Sequence, residues 1–135
     1  MIVVDASVWV CHLLAQDNHH RASRRWFSGV INRREIIAAP GLLLVEVSGA
    51  IARRTGNSAL ARRAYESIAA APGLRLVPIE PQLALLAARL AADLELRGPD
   101  AIYVAVAHKL RIPLVTWDRE QLNRASRLIK THFPS

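Results

Sequence analysis

The sequence predicts an α/β protein, a three-layer α/β/α sandwich around a central parallel sheet of about five strands. Short apolar runs alternate with longer segments of helical periodicity, an alternation typical of a parallel sheet covered on both faces. The first run, Met1–Val4, is continuous and rich in β-branched residues, as in a strand buried on both faces. With 135 residues and no repeat, low-complexity tract or linker, the chain is expected to form one domain over residues 1–135.

Two helices are expected after this first strand. Ser7 is a suitable N-cap for the first helix, which is expected to run to Ala15. The second runs from Asp17 to about Val30 and is strongly basic, so most of its surface should face solvent. Trp26 and Phe27 are expected to anchor it to the core.

A second strand, Ile36–Ala39, ends where a Pro-Gly pair interrupts the chain. Two helices follow, Leu42–Arg54 and Ser58–Ala71, separated by a Thr-Gly-Asn break. Another Pro-Gly pair precedes the third strand, Leu74–Ile79. Because this pair of helices is longer than a simple crossover, we expect it to form a helical hairpin.

The last third of the chain contains three helices and two strands. A Pro at its first turn begins the Ala- and Leu-rich helix Pro81–Arg97, and Gly98 separates it from the helix Pro99–Leu110. Ile112–Trp117 is the fourth strand, and Asp118 starts a short helix. Leu128–Lys130 is expected to be a weak fifth strand.

Composition indicates a cytoplasmic protein with a polyanionic partner. No apolar run approaches the roughly 18 residues that span a membrane, and no leader segment precedes the first strand. The lone Cys11 excludes an internal disulfide, suits a reducing compartment and is expected to be buried rather than reactive. The net charge of +7 suggests a polyanion, although an Ala- and Arg-rich genome would give the same balance.

Four carboxylates are candidates for a functional site. Asp5 and Asp118 follow the first and fourth strands, at the sheet edge where open α/β folds bind ligands. Glu46 lies in an apolar helix, where a carboxylate is costly unless it pairs with an Arg or binds a metal. Asp100 opens a strongly apolar helix whose start should point to the same edge. The structural alternative is that these acids cap helices or complement their dipoles.

Four clustered carboxylates would repel one another unless a cation neutralised them. Oxygen ligands favour Mg²⁺ or Mn²⁺ over Zn²⁺, since the chain has one Cys and no metal-ligand spacing among its five His residues. Such an ion can activate a water molecule and stabilise a phosphoryl transition state. An acid cluster in a basic chain therefore favours metal-dependent cleavage of a polyanion.

The order and spacing of these residues resemble the PIN-domain nucleases over the whole chain. The residues that carry the resemblance are Asp5 with Ser7, Glu46 in its apolar helix, Asp100-Ala101 after Gly98, and Thr116-x-Asp118. The length and the start of the chain are similar to those of VapC-type toxins of bacterial toxin–antitoxin pairs. The resemblance implies a Mg²⁺- or Mn²⁺-dependent endoribonuclease that forms homodimers and is neutralised by a small antitoxin.

The resemblance also implies roles for individual residues. The four acids match the acidic quartet of the family. We expect Asp5 and Asp100 to bind the metal directly, with Glu46 and Asp118 completing the site or binding through water, and a metal-activated water to attack the phosphodiester. The residues implied at the metal site are Asp5, Glu46, Asp100 and Asp118, with Ser7 and Thr116 as supporting hydroxyls and Glu120 as a substitute or helper for Asp118.

Single-stranded or loop RNA is the expected substrate, because a recessed site needs a splayed strand. Candidate RNA contacts are Arg21, Arg24, Arg25, Arg53 and Arg54, although exposed arginines on solvated helices can serve solubility alone.

Two other classes remain open from the sequence. A phosphate-binding signalling domain would also place acids at strand ends, but it usually has paired early acids and a Lys after a late strand. A non-catalytic α/β binding module would use the same acids as helix caps. Metal-dependent stabilisation would distinguish the nuclease from the binding module.

Overall fold

The computed structural model describes all 135 residues as five strands and seven helices. The strands are β1 (Ile2–Val4), β2 (Ile37–Pro40), β3 (Leu74–Val77), β4 (Leu114–Val115) and β5 (Thr131–His132). The helices are α1 (Ala6–Leu13), α2 (His20–Asn32), α3 (Leu42–Thr55), α4 (Ser58–Ala69), α5 (Pro81–Leu94), α6 (Gly98–Leu110) and α7 (Arg119–Ala125). The expected α/β class with a five-stranded parallel sheet is confirmed. No helix combines the length and hydrophobicity needed to cross a lipid bilayer.

The sheet has the order β3-β2-β1-β4-β5, and every neighbouring pair is parallel. The chain first moves outward from β1 to β3 and then returns to the other side of β1 for β4 and β5. Right-handed crossovers therefore place α1 to α4 on one face and α5 to α7 on the other. The direction reverses between β1 and β4, so a crevice opens beyond the carboxyl ends of these two strands.

The core is apolar on both faces of the central strand. Val3 and Val4 of β1 are fully buried, as are Leu114 and Val115 of β4. Helix α6 packs on β1, β2 and β4, and its residues from Tyr103 to Ala107 are all completely or almost completely buried. Parallel strands covered on both faces appear in the sequence as continuous hydrophobic runs, and these strands were therefore predicted from the sequence pattern.

The start of α1 differs from the expectation. Asp5, rather than Ser7, is the N-cap: its Oδ2 accepts a hydrogen bond of 3.0 Å from the backbone N–H of Ser7. Ser7 lies inside the first turn, and its hydroxyl makes contacts across the sheet edge instead. The helix ends at Leu13, two residues before the expected Ala15.

Helix α2 begins at His20 instead of Asp17. Residues 15–19 form turns before it, and Asp17 there accepts a hydrogen bond from the backbone N–H of His19 at 2.8 Å.

The strands of the second half are shorter than expected, since β3 ends at Val77 rather than Ile79 and β4 covers Leu114–Val115 rather than Ile112–Trp117. Two further boundaries were wrong. Helix α5 ends at Leu94 rather than near Arg97, because Glu95 adopts a left-handed conformation (φ 55°) and ends the helix. Leu96 then turns back into the core, as at many helix C-termini. The fifth strand is Thr131–His132 rather than Leu128–Lys130. The residues after α7 form a turn instead, in which the backbone N–H groups of Leu128 and Ile129 donate to the carbonyl oxygen of Ala125.

Cys11 is buried in α1, as expected. Burial raises the pKa of its thiol to about 12, so the side chain stays protonated and unreactive at neutral pH.

Candidate active site

The loops that follow β1 and β4 are joined by two hydroxyl groups. The Thr116 hydroxyl donates to Asp5 Oδ2 at 3.3 Å and accepts from the backbone N–H of Asp118 at 3.0 Å. Ser7 Oγ lies 3.3 Å from Thr116 Oγ1 and accepts from the backbone N–H of Trp117 at 3.1 Å. This network fixes the two strand ends relative to each other, so Asp5 and Asp118 are held at the same crevice.

Asp100 reaches the crevice from the first turn of α6 and is joined to Asp118 by Arg97. The Arg97 Nε atom lies 3.1 Å from Asp100 Oδ2, and its Nη2 atom lies 3.0 Å from Asp118 Oδ2. Arg97 immediately precedes α6, and its side chain is 72% exposed. A single solvent-facing guanidinium thus bridges two of the four acids.

Glu46 approaches from the second turn of α3. Neither its buried Oε1 atom nor the buried hydroxyl of Tyr103 on α6 makes a hydrogen bond of good geometry, but the two side chains are neighbours. Burial raises the pKa of Glu46, and donation from the Tyr103 hydroxyl lowers it in part. No Arg pairs with Glu46, so the structural alternative of a buried ion pair is wrong for this residue. A buried carboxylate oxygen without a well-formed hydrogen bond is costly, and a cation bound beside it would offset that cost.

The charges of these acids act on one another. Burial raises the pKa of Asp5, and the Asp118 charge adds to the effect. Burial followed by the Asp5 charge raises the pKa of both Glu46 and Asp100. Burial, with the charge of Glu46, also raises the pKa of the Tyr103 hydroxyl well above its usual value. The structure therefore brings all four predicted acids into one anionic crevice.

The donor set fits a hard divalent cation. Asp5 Oδ1 and Asp100 Oδ1 make no hydrogen bond within the protein, and Glu46 adds a buried carboxylate oxygen. Oxygen-only ligands and mutual repulsion both favour Mg²⁺ or Mn²⁺. No three Asp, Glu, His or Cys side chains lie close enough together in this structure to hold one ion, and Arg97 occupies one oxygen each of Asp100 and Asp118.

The candidate RNA-binding arginines separate into two groups. Arg53 and Arg54, at the end of α3, share a cleft of about 490 Å³ with Ser7 and Glu46. Arg54 also pairs with Asp17 at 3.0 Å. The other three, Arg21, Arg24 and Arg25, are exposed on α2 and do not line this cleft.

Sequence reasoning missed two residues of the crevice, Arg97 and Tyr103. Arg97 was assigned to the end of the preceding helix, but a basic residue three positions before Asp100 has the spacing of an (i, i+3) ion pair. Tyr103 lies one turn after Asp100, a spacing that also places both residues on one face of a helix. Glu120 is exposed and pairs with Arg124 at 2.8 Å.

Comparison with protein families gives one match that covers almost the whole chain, a PIN domain model over residues 2–128. The chain belongs to the PIN domain family. The expected family membership is therefore confirmed. A search of curated protein sequences finds no match to this PIN domain.

Solved structures share the PIN fold at low sequence identity. VapC20 of Mycobacterium tuberculosis, described as a Sarcin-Ricin loop cleaving toxin, is 22% identical with a TM-score of 0.77, covering 90% of this chain and 92% of that chain. FitAcB from Neisseria gonorrhoeae is 18% identical with a TM-score of 0.76, covering 99% and 98%. VapBC-5 of M. tuberculosis, a member of a toxin–antitoxin family, is 20% identical with a TM-score of 0.62, covering 97% and 94%.

Proposed function

We propose that this PIN domain is a Mg²⁺- or Mn²⁺-dependent endoribonuclease and the toxin of a toxin–antitoxin pair. The observation that supports this most strongly is the convergence of Asp5, Glu46, Asp100 and Asp118 on one crevice, where Thr116 holds Asp5, Arg97 bridges Asp100 and Asp118, and the half-buried carboxyl of Glu46 lies beside Tyr103. The basic balance of +7 suits a polyanionic substrate. The likeness to VapC20, a toxin that cleaves the Sarcin-Ricin loop, makes RNA the substrate class to test first.

Each residue of the crevice has a defined part in this chemistry. Asp5, Glu46 and Asp100 would hold the cation, with Asp118 completing the site once Arg97 has moved. The bound ion would supply an activated water and neutralise charge on the phosphate. Thr116 and Ser7 position Asp5 through their hydroxyls, and Arg53 and Arg54 lie where they can bind phosphates beside Glu46. No Ser or His nucleophile is needed.

Replacement of Asp5 by Asn tests the proposal. Asp5→Asn keeps the side-chain oxygen that caps α1 but removes the charge, so the fold should persist while cleavage of single-stranded RNA in Mg²⁺ falls at least about 100-fold. The matched control is Asp93→Asn, which removes an exposed acid of α5 outside the crevice. Wild-type cleavage rates in Asp5→Asn, with EDTA-sensitive activity retained, would contradict the proposal.

The alternative of a non-catalytic binding module has support from two contacts. Asp5 accepts from Ser7 N–H, and Asp118 Oδ1 accepts from Gln121 N–H at 3.0 Å, so both acids do cap helices. Titration with Mn²⁺ separates the two functions, because a capping role gives no metal-dependent rise in melting temperature.

An apolar groove on the other side of the molecule suits the antitoxin. It has a volume of about 620 Å³ and lies between α1, α2, α4 and the amino ends of β2 and β3, away from the acids. Buried Trp9 Nε1 and His12 Nδ1 in its wall have no partner, and burial lowers the pKa of His12, which favours the neutral ring. Exposed Ile31 lies at its margin, 71% accessible. An amphipathic segment of the antitoxin would bury this surface.

Ile31→Asp tests the groove. The residue is exposed, so the fold should tolerate the change, but a charge in an apolar contact should weaken antitoxin binding at least about tenfold. Cleavage by the free protein should be unaffected. Leu85→Asp, at another exposed apolar position outside the groove and outside the cleft of Glu46, is the control. Equal antitoxin affinity for Ile31→Asp and wild type would exclude this surface. The expected homodimer is a separate prediction, which is tested by measuring the molecular mass of the free protein in solution.

A further inference from the structure

Three planar side chains from distant parts of the chain stack beside the acidic crevice. The ring of His19 lies on the indole of Trp117 with centroids 3.9 Å apart and planes inclined by 14°. Trp117 stacks in turn on Phe133 at 6.0 Å and 24°. The guanidinium carbon of Arg119 lies 5.5 Å from the centre of the Phe133 ring. These four residues form a continuous stack, which we call the aromatic ladder.

The ladder is rigidly attached to the acids. Trp117 lies between Thr116 and Asp118 in the chain, and its backbone N–H donates to Ser7 Oγ. Its indole Nε1 donates to the hydroxyl of Ser23 at 2.8 Å, and Ser23 is completely buried in α2. Both the backbone and the side chain of Trp117 are therefore fixed, and the plane of the ladder is set relative to Asp118.

The ladder ends in solvent at His19. One face of this ring lies on Trp117, so the exposed part of His19 is its opposite face and its edge. Trp117 and Phe133 are only half-buried, and Arg119 is exposed at the other end. A flat, exposed ring backed by two further rings is the arrangement on which unpaired bases stack.

We propose that the outer face of His19 binds an unpaired base of the substrate, next to the phosphate that enters the crevice. The proposal rests on the ribonuclease function above and adds a contact that favours single strands over duplexes. Bases in a duplex already stack on each other, whereas a splayed base gains a partner here. Because stacking uses the base and not the phosphate, its loss should not change the salt dependence of binding.

Fluorescence anisotropy with a labelled single-stranded adenosine hexamer tests the ladder. All variants carry Asp5→Asn, so that the RNA stays intact in Mg²⁺. His19→Ala should raise the dissociation constant about fivefold or more, and His19→Phe, which keeps a flat ring, should restore it to within about twofold. His108→Ala, near the end of α6 at the opposite edge of the sheet, is the control and should bind as the parent does.

An abasic ribose-phosphate hexamer of equal charge completes the experiment. It should bind His19→Ala and its parent equally, because it has no base to stack. Equal affinity of His19→Ala and the parent for the adenosine hexamer would overturn the ladder. The proposal would also be overturned if His19→Ala lost the same affinity for the abasic hexamer, or if His19→Phe did not restore binding of the adenosine hexamer. Cleavage by the Asp5→Asn parent, or no RNA binding by it, would instead contradict the proposed function.

Discussion

Replacing Arg97 by Met should make the protein bind Mn²⁺ more tightly. Arg97 forms ion pairs of 3.1 Å with Asp100 and 3.0 Å with Asp118. Asp118 must give up its pair to bind an ion because its other oxygen caps α7, and the charge of Arg97 repels a cation at the free oxygen of Asp100. Because the Arg97 side chain is 72% exposed, solvent screens both pairs, and together they contribute about 1 kcal/mol. That amount corresponds to about a fivefold change in a dissociation constant.

Met keeps the apolar stem of Arg97 and removes its charge. Titration calorimetry of the metal-free protein should give a Mn²⁺ dissociation constant about fivefold lower for Arg97→Met, and denaturant unfolding in EDTA should show a loss of about 1 kcal/mol. Arg89→Met changes the net charge equally on the exposed surface of α5, where Arg89 has no ion pair. Unchanged Mn²⁺ affinity in Arg97→Met, or an equal gain in Arg89→Met, would refute the reasoning.

Two further predictions concern stability. Burial raises the pKa of Asp5, Glu46 and Asp100, so their stabilising contribution is complete below the ordinary carboxyl pKa of about 4 and is lost as the pH rises through the raised values. The lowered pKa of Asp17 and Glu35 acts in the opposite direction, so the test compares two variants. The unfolding free energy of the wild type in EDTA should fall relative to that of Asp5→Asn from this acid range towards neutrality, and a constant difference would contradict this cause. Gly56 ends α3 with φ 67°, a left-handed conformation in which a residue with a Cβ is strained. Gly56→Ala should therefore lower the free energy of unfolding by about 1 kcal/mol. A thermal unfolding curve equal to that of the wild type would contradict this prediction.

The sequence pattern predicted the elements that are set by burial, and it failed where the chain leaves the sheet. Val3 and Val4 identify a central strand because a sheet covered on both faces needs continuous apolar residues. The end of α5 was missed because Glu95, rather than a Gly, takes the left-handed conformation. The final strand was missed because Leu128 and Ile129 are apolar but lie in a turn, whereas Thr131 and His132 are polar and pair with β4.

The acids could be predicted because their positions follow from topology, whereas their partners could not. Residues after β1 and β4 must meet at the carboxyl edge, since the strand order reverses between these two strands. Arg97 and Tyr103 have the spacing of helical neighbours of Asp100, but their contacts with Asp118 and Glu46 join different elements, and the aromatic ladder depends on side-chain directions in loops. Such contacts leave no periodic pattern in the sequence, so nothing in the sequence linked His19 and Phe133 to Trp117.

Capping and metal binding were alternatives for Asp5 and Asp118 from the sequence, but the structure makes them compatible. Asp5 uses Oδ2 for both the Ser7 N–H and the Thr116 hydroxyl, which leaves Oδ1 free. Asp118 caps α7 with Oδ1, and its Oδ2 is bound only by Arg97. The caps therefore orient each carboxylate and leave its second oxygen directed to other partners. A cation must therefore compete with Arg97 for Asp118. Removing Arg97 should tighten metal binding if the acids form a metal site, but it should have no such effect if they only cap helices.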